Sequence, residues 1–188
     1  MPTFKKCPPE INKMADAILN QFPSHKPLVE ARVRVDLVFA YADRDDETGE
    51  KLNNALTKNG IKCLGLTRAL PLKDRVMGRG DAEICLDGDW WSEEATDAQQ
   101  QALLDHELHH VALKMKKLVL QCDDLGRPLI KLRKHDVEVG WFACIADRHG
   151  AHSQEQIQAK AIMEAAGQYF WPDLCGAGKT VKLLKKPA

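Results

Sequence analysis

Thr96-Asp97-Ala98-Gln99 and, downstream, Leu104-Asp105-His106-Glu107-Leu108-His109-His110 are the stretch from which this chain is best read. The first four residues form a capping box, in which the Thr oxygen and the Gln side chain satisfy each other's orphan backbone donors, so a helix starts here. Good helix formers run from Ala98 to Lys117. Asp97 in the first turn and Lys114, Lys116 and Lys117 in the last would complement the macrodipole, which predicts a helix of about twenty residues.

On that helix His106, Glu107 and His110 spell H-E-x-x-H. Residues four apart lie about 40° from each other around a helix, so imidazoles from consecutive turns can converge on one ion. Glu107 lies about 100° from His106, off the ligand line but near enough to accept a proton from water at the metal. It is expected to act as general base and not as a ligand. Seven histidines and 11 glutamates placed independently would give about 0.015 such matches in a chain of this length. Leu103, Leu104, Val111 and Leu113 around the motif predict substantial burial of the helix. His109 points about 100° away from His110 and is expected to support the site or lie at the surface.

Two imidazoles and an open water position point to one Zn²⁺ ion, and no cysteine pair recurs at zinc-ribbon spacing. A third ligand is expected from a helix predicted over about 136–148. His135, Glu138, Phe142, Ile145 and His149 recur there at steps of three and four, with Phe142 and Ile145 marking the stripe as core-facing. His135 is preferred as third ligand and Glu138 is the alternative; whichever does not bind can orient the other.

Outward from the motif, Ile11, Met14, Ala15, Ile18, Leu19 and Phe22 predict an amphipathic helix that packs on a sheet, closed by Pro23. Alternation at Val33, Val35, Leu37 and Phe39 predicts a strand over about 31–40. Ile61–Thr67 reads as a short strand, Lys73–Gly80 as loop, and Ala82–Leu86 as a strand ended by the turn Asp87-Gly88-Asp89, with Trp90-Trp91 as a lid over the core. Leu118–Cys122 and Leu129–Leu132 read as a hairpin, and Ser153-Gln154-Glu155-Gln156 opens a last helix to about Ala166. The expected architecture is α+β: one domain over 1–170, a small mixed sheet with the H-E-x-x-H helix and further packed helices, and a basic tail over 171–188.

Lys+Arg 27 and Asp+Glu 27 cancel, so no global field draws the chain to nucleic acid or an anionic membrane. No apolar run approaches a membrane span and the N-terminal residues lack a secretory apolar core, so a cytoplasmic protein is expected. The six cysteines are scattered singly and read as free thiols in the core. Gly176-Ala177-Gly178-Lys179-Thr180 is not a phosphate loop, because Asp173 stands where its first Gly is required. The lysines of the tail leave nucleic-acid contact as a minor alternative.

Asp81-Ala82-Glu83-Ile84 through Trp90, the run Ala102 to His110, a hairpin, His135-Asp136-Val137-Glu138, Phe142-Ala143 and Arg148-His149-Gly150 together resemble the phage metallopeptidase family, over about residues 10–150. The resemblance implies a zincin-like fold and a zinc-dependent peptidase encoded by a phage or prophage, acting on a peptide or protein in the cytoplasm of the bacterial host. It also implies that the strand before the active helix, Ala82–Leu86, offers its edge to an extended substrate. The competing expectation is a non-catalytic binding or regulatory protein stabilised by zinc and acting on a host protein or nucleic acid.

Overall fold

The computed structural model describes residues 1–135, 149–152 and 154–165. Two compact units, Met1–His135 and Asp136–Ala188, are separated by the pattern of internal contacts. The first holds the sheet and the H-E-x-x-H helix; the second contributes a short 3₁₀ turn, Gly150–His152, and a helix, Gln154–Ala165, close to the predicted last helix. The helix expected over 136–148, Glu138 within it, and the tail 171–188 lie outside the described residues.

In chain order the first unit runs β1 (Thr3–Lys6), α1 (Pro9–Gln21), α2 (Lys26–Glu30), β2 (Val35–Tyr41), β3 (Thr57–Lys58), β4 (Ile61–Lys62), β5 (Gly65–Ala69), α3 (Leu72–Val76), β6 (Ala82–Asp87) and α4 (Gly88–Glu93). It continues through α5 (Asp97–His110), β7 (Val111–Leu113), β8 (Met115–Lys116), β9 (Val119–Leu120) and β10 (Ile130–Leu132). Four strands form a mixed sheet in the order β1-β2-β6-β5. β2 and β6 run parallel, with Leu37 beside Ile84 and Phe39 beside Leu86, while β1 and β5 flank them antiparallel. Strands buried on both faces read as continuous runs, and β6 is buried at all six positions, Ala82, Ile84 and Leu86 at 0 % exposure.

One sheet face carries the main core. Leu37, Phe39, Ile84 and Leu86 meet Ile11, Ala15 and Ile18 of α1, Trp91 of α4, and Leu104 and Leu108 of α5. α1 starts with Pro9 in its first turn, where a missing N–H costs nothing, and stops before Phe22-Pro23. The tryptophans stand in a short helix instead of a connection, because Asp87 accepts a hydrogen bond from the Trp90 N–H and caps α4. Trp91 is buried against Phe39, ring centroids 5.6 Å apart. On the other face Ala40, Ala42, Ala55, Leu56 and Cys85 form a second cluster. Burial pushes the Cys7 and Cys85 thiols up to about 12, so both stay protonated packing groups.

Four expectations are corrected. α5 starts at the capping box but ends at His110, 14 residues long, so Lys114, Lys116 and Lys117 lie beyond it. Val111 turns extended and β7 pairs with β10, Val111 opposite Leu132; burial of Val111 beside Leu28 and Ala82 outweighs the helix propensity of the following residues. The expected hairpin is regrouped. β8 and β9 close on a two-residue turn, Lys117-Leu118, with φ of +50° and +65°, while Ile130–Leu132 takes β7 as partner. Between the segments first paired there remain a hydrogen bond from the Leu129 N–H to the Gln121 carbonyl, at 2.8 Å, and at their margin the bridge between Cys122 and Pro128. Lys73–Gly80 contains the short helix α3, and β1 is a strand that its charged, exposed residues did not announce. Finally, Ala82–Leu86 is no edge: it is hydrogen-bonded to β2 on one side and β5 on the other, and the outer strands of this sheet are β1 and β5.

Candidate metal centre

α5 lies on the core face of the sheet, held there by Leu104 and Leu108, both 0 % exposed. That seating turns Glu107 inward, at 4 % exposure, and leaves His106 and His110 toward the open side. The third imidazole comes from the strand pair. After β10 the Arg133 N–H donates to the His110 carbonyl at 2.7 Å, and His110 Nδ1 donates to the Arg133 carbonyl at 2.7 Å. This double clasp carries the chain back over the end of α5 two residues before His135. It also leaves His110 Nε2 as the available ligand atom, a carbonyl-anchored imidazole of the kind that metal-binding histidines commonly use.

The result is a cluster of His106, His110 and His135 whose candidate ligand atoms all lie within 4.8 Å of one another. Ring centroids are 5.0 Å apart for His106 and His110, 5.1 Å for His106 and His135, and 4.6 Å for His110 and His135. His106 Nε2 and His135 Nε2 approach to 3.1 Å. Nitrogens bound at about 2.0–2.1 Å around a tetrahedral ion sit at about this separation, so the donor set fits a small divalent cation. Burial on its inner side, reinforced by the rings of His110 and His135, pushes the His106 imidazole below its ordinary range against an opposing pull from Glu107. A neutral ring with an open lone pair is what a metal requires.

Beneath the cluster lie residues that sequence reasoning did not find. His25, 1 % exposed, hydrogen-bonds through Nε2 to Asp105 Oδ1 at 2.7 Å, and its ring meets His109 edge-on at 5.8 Å. His109 in turn contacts the Arg133 guanidinium, so it lies outside the cluster and braces the chain that carries His135. Across α5, Thr67 of β5 donates to Glu107 Oε2 at 2.6 Å. His25 sits in a Pro-Ser-His turn, and Thr67 in a strand whose partner is remote in sequence, so neither carries a local signal. Asp105 and His109 were the visible hint, polar groups beside the motif on the half of α5 that packs against the sheet through Leu104 and Leu108.

An α+β protein with an H-E-x-x-H helix and a third imidazole delivered from a strand end thus presents three histidines that could hold a metal ion. The chain belongs to the family described as Putative phage metallopeptidase, whose model matches residues 3–167. No curated protein and no solved structure matches the chain. Among the described residues, no helix is long and apolar enough to cross a membrane.

Proposed function

We propose that this protein is a zinc-dependent peptidase that cleaves peptide bonds in the cytoplasm of a bacterium carrying a phage or prophage. The observation that supports it best is the convergence of His106, His110 and His135 within 4.8 Å, from two elements far apart in sequence, next to a buried glutamate. His106, His110 and His135 hold the ion; Glu138, the alternative ligand, lies outside the described residues. Zinc bound there supplies a Lewis acid that polarises a carbonyl and makes water acidic near neutral pH. Glu107 takes the proton from the attacking water and passes it to the leaving amine, so that water's oxygen joins the carbonyl carbon as the C–N bond breaks. β5 pairs with β6 along one side and, among the described residues, with no strand along the other. An extended peptide adding to that margin would lie along the strand that touches Glu107.

Purified protein grown with zinc is expected to carry one ion per chain and to hydrolyse labelled casein, with hydrolysis lost on chelation and recovered on adding zinc. Circular dichroism before and after chelation separates this reading from a zinc-stabilised binding protein. A core that includes Ile84, Leu86, Leu104 and Leu108 is expected to remain folded without metal, whereas a structural zinc site would melt. Protein that binds no zinc ends the proposal.

A further inference from the structure

The two oxygens of Glu107 have unlike surroundings. The Thr67 hydroxyl lies 2.6 Å from Oε2 and 3.1 Å from the Glu107 carbonyl oxygen. It has one proton to give, and the shorter contact is to the carboxylate, where a charged acceptor makes the stronger bond. On the other side the carboxylate lies against the bare backbone of Gly65. A Cβ there would come within 2.6 Å of Glu107 Cδ and 2.7 Å of Cγ, and closer still to Oε1. Gly65 and Thr67 are two apart on β5 and so share a face, opposite Leu86 and Ile84 of β6 and toward α5. One strand face thus offers a donor to one oxygen and a hollow for the rest of the side chain.

A glutamate has three rotatable bonds, and a base is useful only while its oxygen stays where the proton is transferred. We propose that Gly65 and Thr67 are positioning residues for Glu107: Thr67 pins Oε2 through its hydroxyl, while Gly65 leaves the room that this rotamer needs. The proposal rests on the reading of Glu107 as general base. It makes β5 serve two purposes, since the strand margin suited to an extended peptide also orients the base through its inward face. Hydrogen-bond satisfaction of a buried carboxylate would by itself predict a loss of stability on removing Thr67. Positioning predicts a loss of turnover.

The test uses zinc-loaded full-length protein with ¹³C at glutamate Cδ, the Glu107 resonance being assigned by its disappearance in Glu107→Gln. Thr67→Val is expected to move that resonance and Thr67→Ser to return it, with one zinc per chain throughout. On labelled casein, Thr67→Val should lower kcat by about 10- to 100-fold with KM changed less than about two-fold, and Thr67→Ser should recover most of the rate. Gly65→Ala should lower kcat at least as much while retaining zinc. An unmoved resonance and unchanged kcat in Thr67→Val overturn the proposal, as does a folded Thr67→Ser without rescue. If zinc-loaded wild type cleaves neither casein nor a mixed decapeptide library but its resonance responds to Thr67, the peptidase reading falls and the contact stands.

Discussion

Asp81, at the entrance to β6, is 1 % exposed and Glu107, on α5, is 4 % exposed, yet the two carboxylates keep opposite company. Asp81 Oδ1 accepts from Arg75 Nη2 at 2.5 Å and from Arg127 Nε at 2.9 Å, and Oδ2 accepts from the Arg34 N–H at 2.8 Å. Arg75 reaches on to the Pro128 carbonyl at 2.8 Å and pairs with Asp123 at 3.0 Å, so this knot fastens α3 to the loop that leads into β10. Glu107 has one neutral donor among the described residues, Thr67. A carboxylate saturated by two guanidinium groups is a fixed joint. One held by a single hydroxyl keeps an oxygen that accepts no hydrogen bond among the described residues, as the proposed general base requires.

The comparison can be broken at either end. Glu107→Gln should lower peptide hydrolysis by about 10³-fold, while zinc content and the urea midpoint stay near wild type, because the amide still accepts from Thr67. A variant that retains turnover would remove Glu107 from the chemistry. Asp81→Asn should do the reverse. It strands buried guanidinium charge and should cost about 3–5 kcal/mol in urea denaturation, with much smaller change in activity per folded molecule. Equal losses of stability in the two variants would mean that the two sites do not differ as described.

Thr96→Ala removes the capping box at the far end of α5, where Gln99 Oε1 accepts from the Thr96 N–H at 2.9 Å. It should cost about 1 kcal/mol of stability without altering zinc stoichiometry, separating support of the helix from assembly of the site. Glu83 is the intermediate case. Burial raises its pKa, but hydrogen bonds from Arg68, at 2.5 Å, and from Arg79 outweigh that and hold the carboxyl below its ordinary value of 4.5. The ionised group therefore stabilises the folded state in full above 4.5, and that contribution fades as pH falls through the lower folded value. The urea midpoint of wild type should drop more steeply with acid below that point than the midpoint of Glu83→Gln, the smallest of these effects.

Helix starts and the motif were legible because their causes are local. Thr96 and Gln99 cap α5 with neighbours three residues apart, and the first-turn proline and the periodic Ile11, Ala15 and Ile18 announce α1. The end of α5 was not legible, since Ala-Leu-Lys-Met-Lys-Lys is good helical sequence; what stops the helix is a strand partner at 130–132. His135 was singled out as part of a helical stripe, while in the structure it is brought to the cluster by β10 and the Arg133 clasp on His110. The edge strand was misassigned for a similar reason. Burial of Ala82–Leu86 on both faces shows in its apolar run, but which strand stands beside it does not.

From sequence alone came the two imidazoles and the glutamate on consecutive helical turns, because a period of 3.6 residues relates side chains without reference to the rest of the chain. The third imidazole, the inward turn of Glu107, and its cradle of Gly65 and Thr67 were decided by tertiary structure. They depend on strand pairings and on burial against a sheet, and those contacts join residues 23 to 42 positions apart, a distance over which local spacing carries no information.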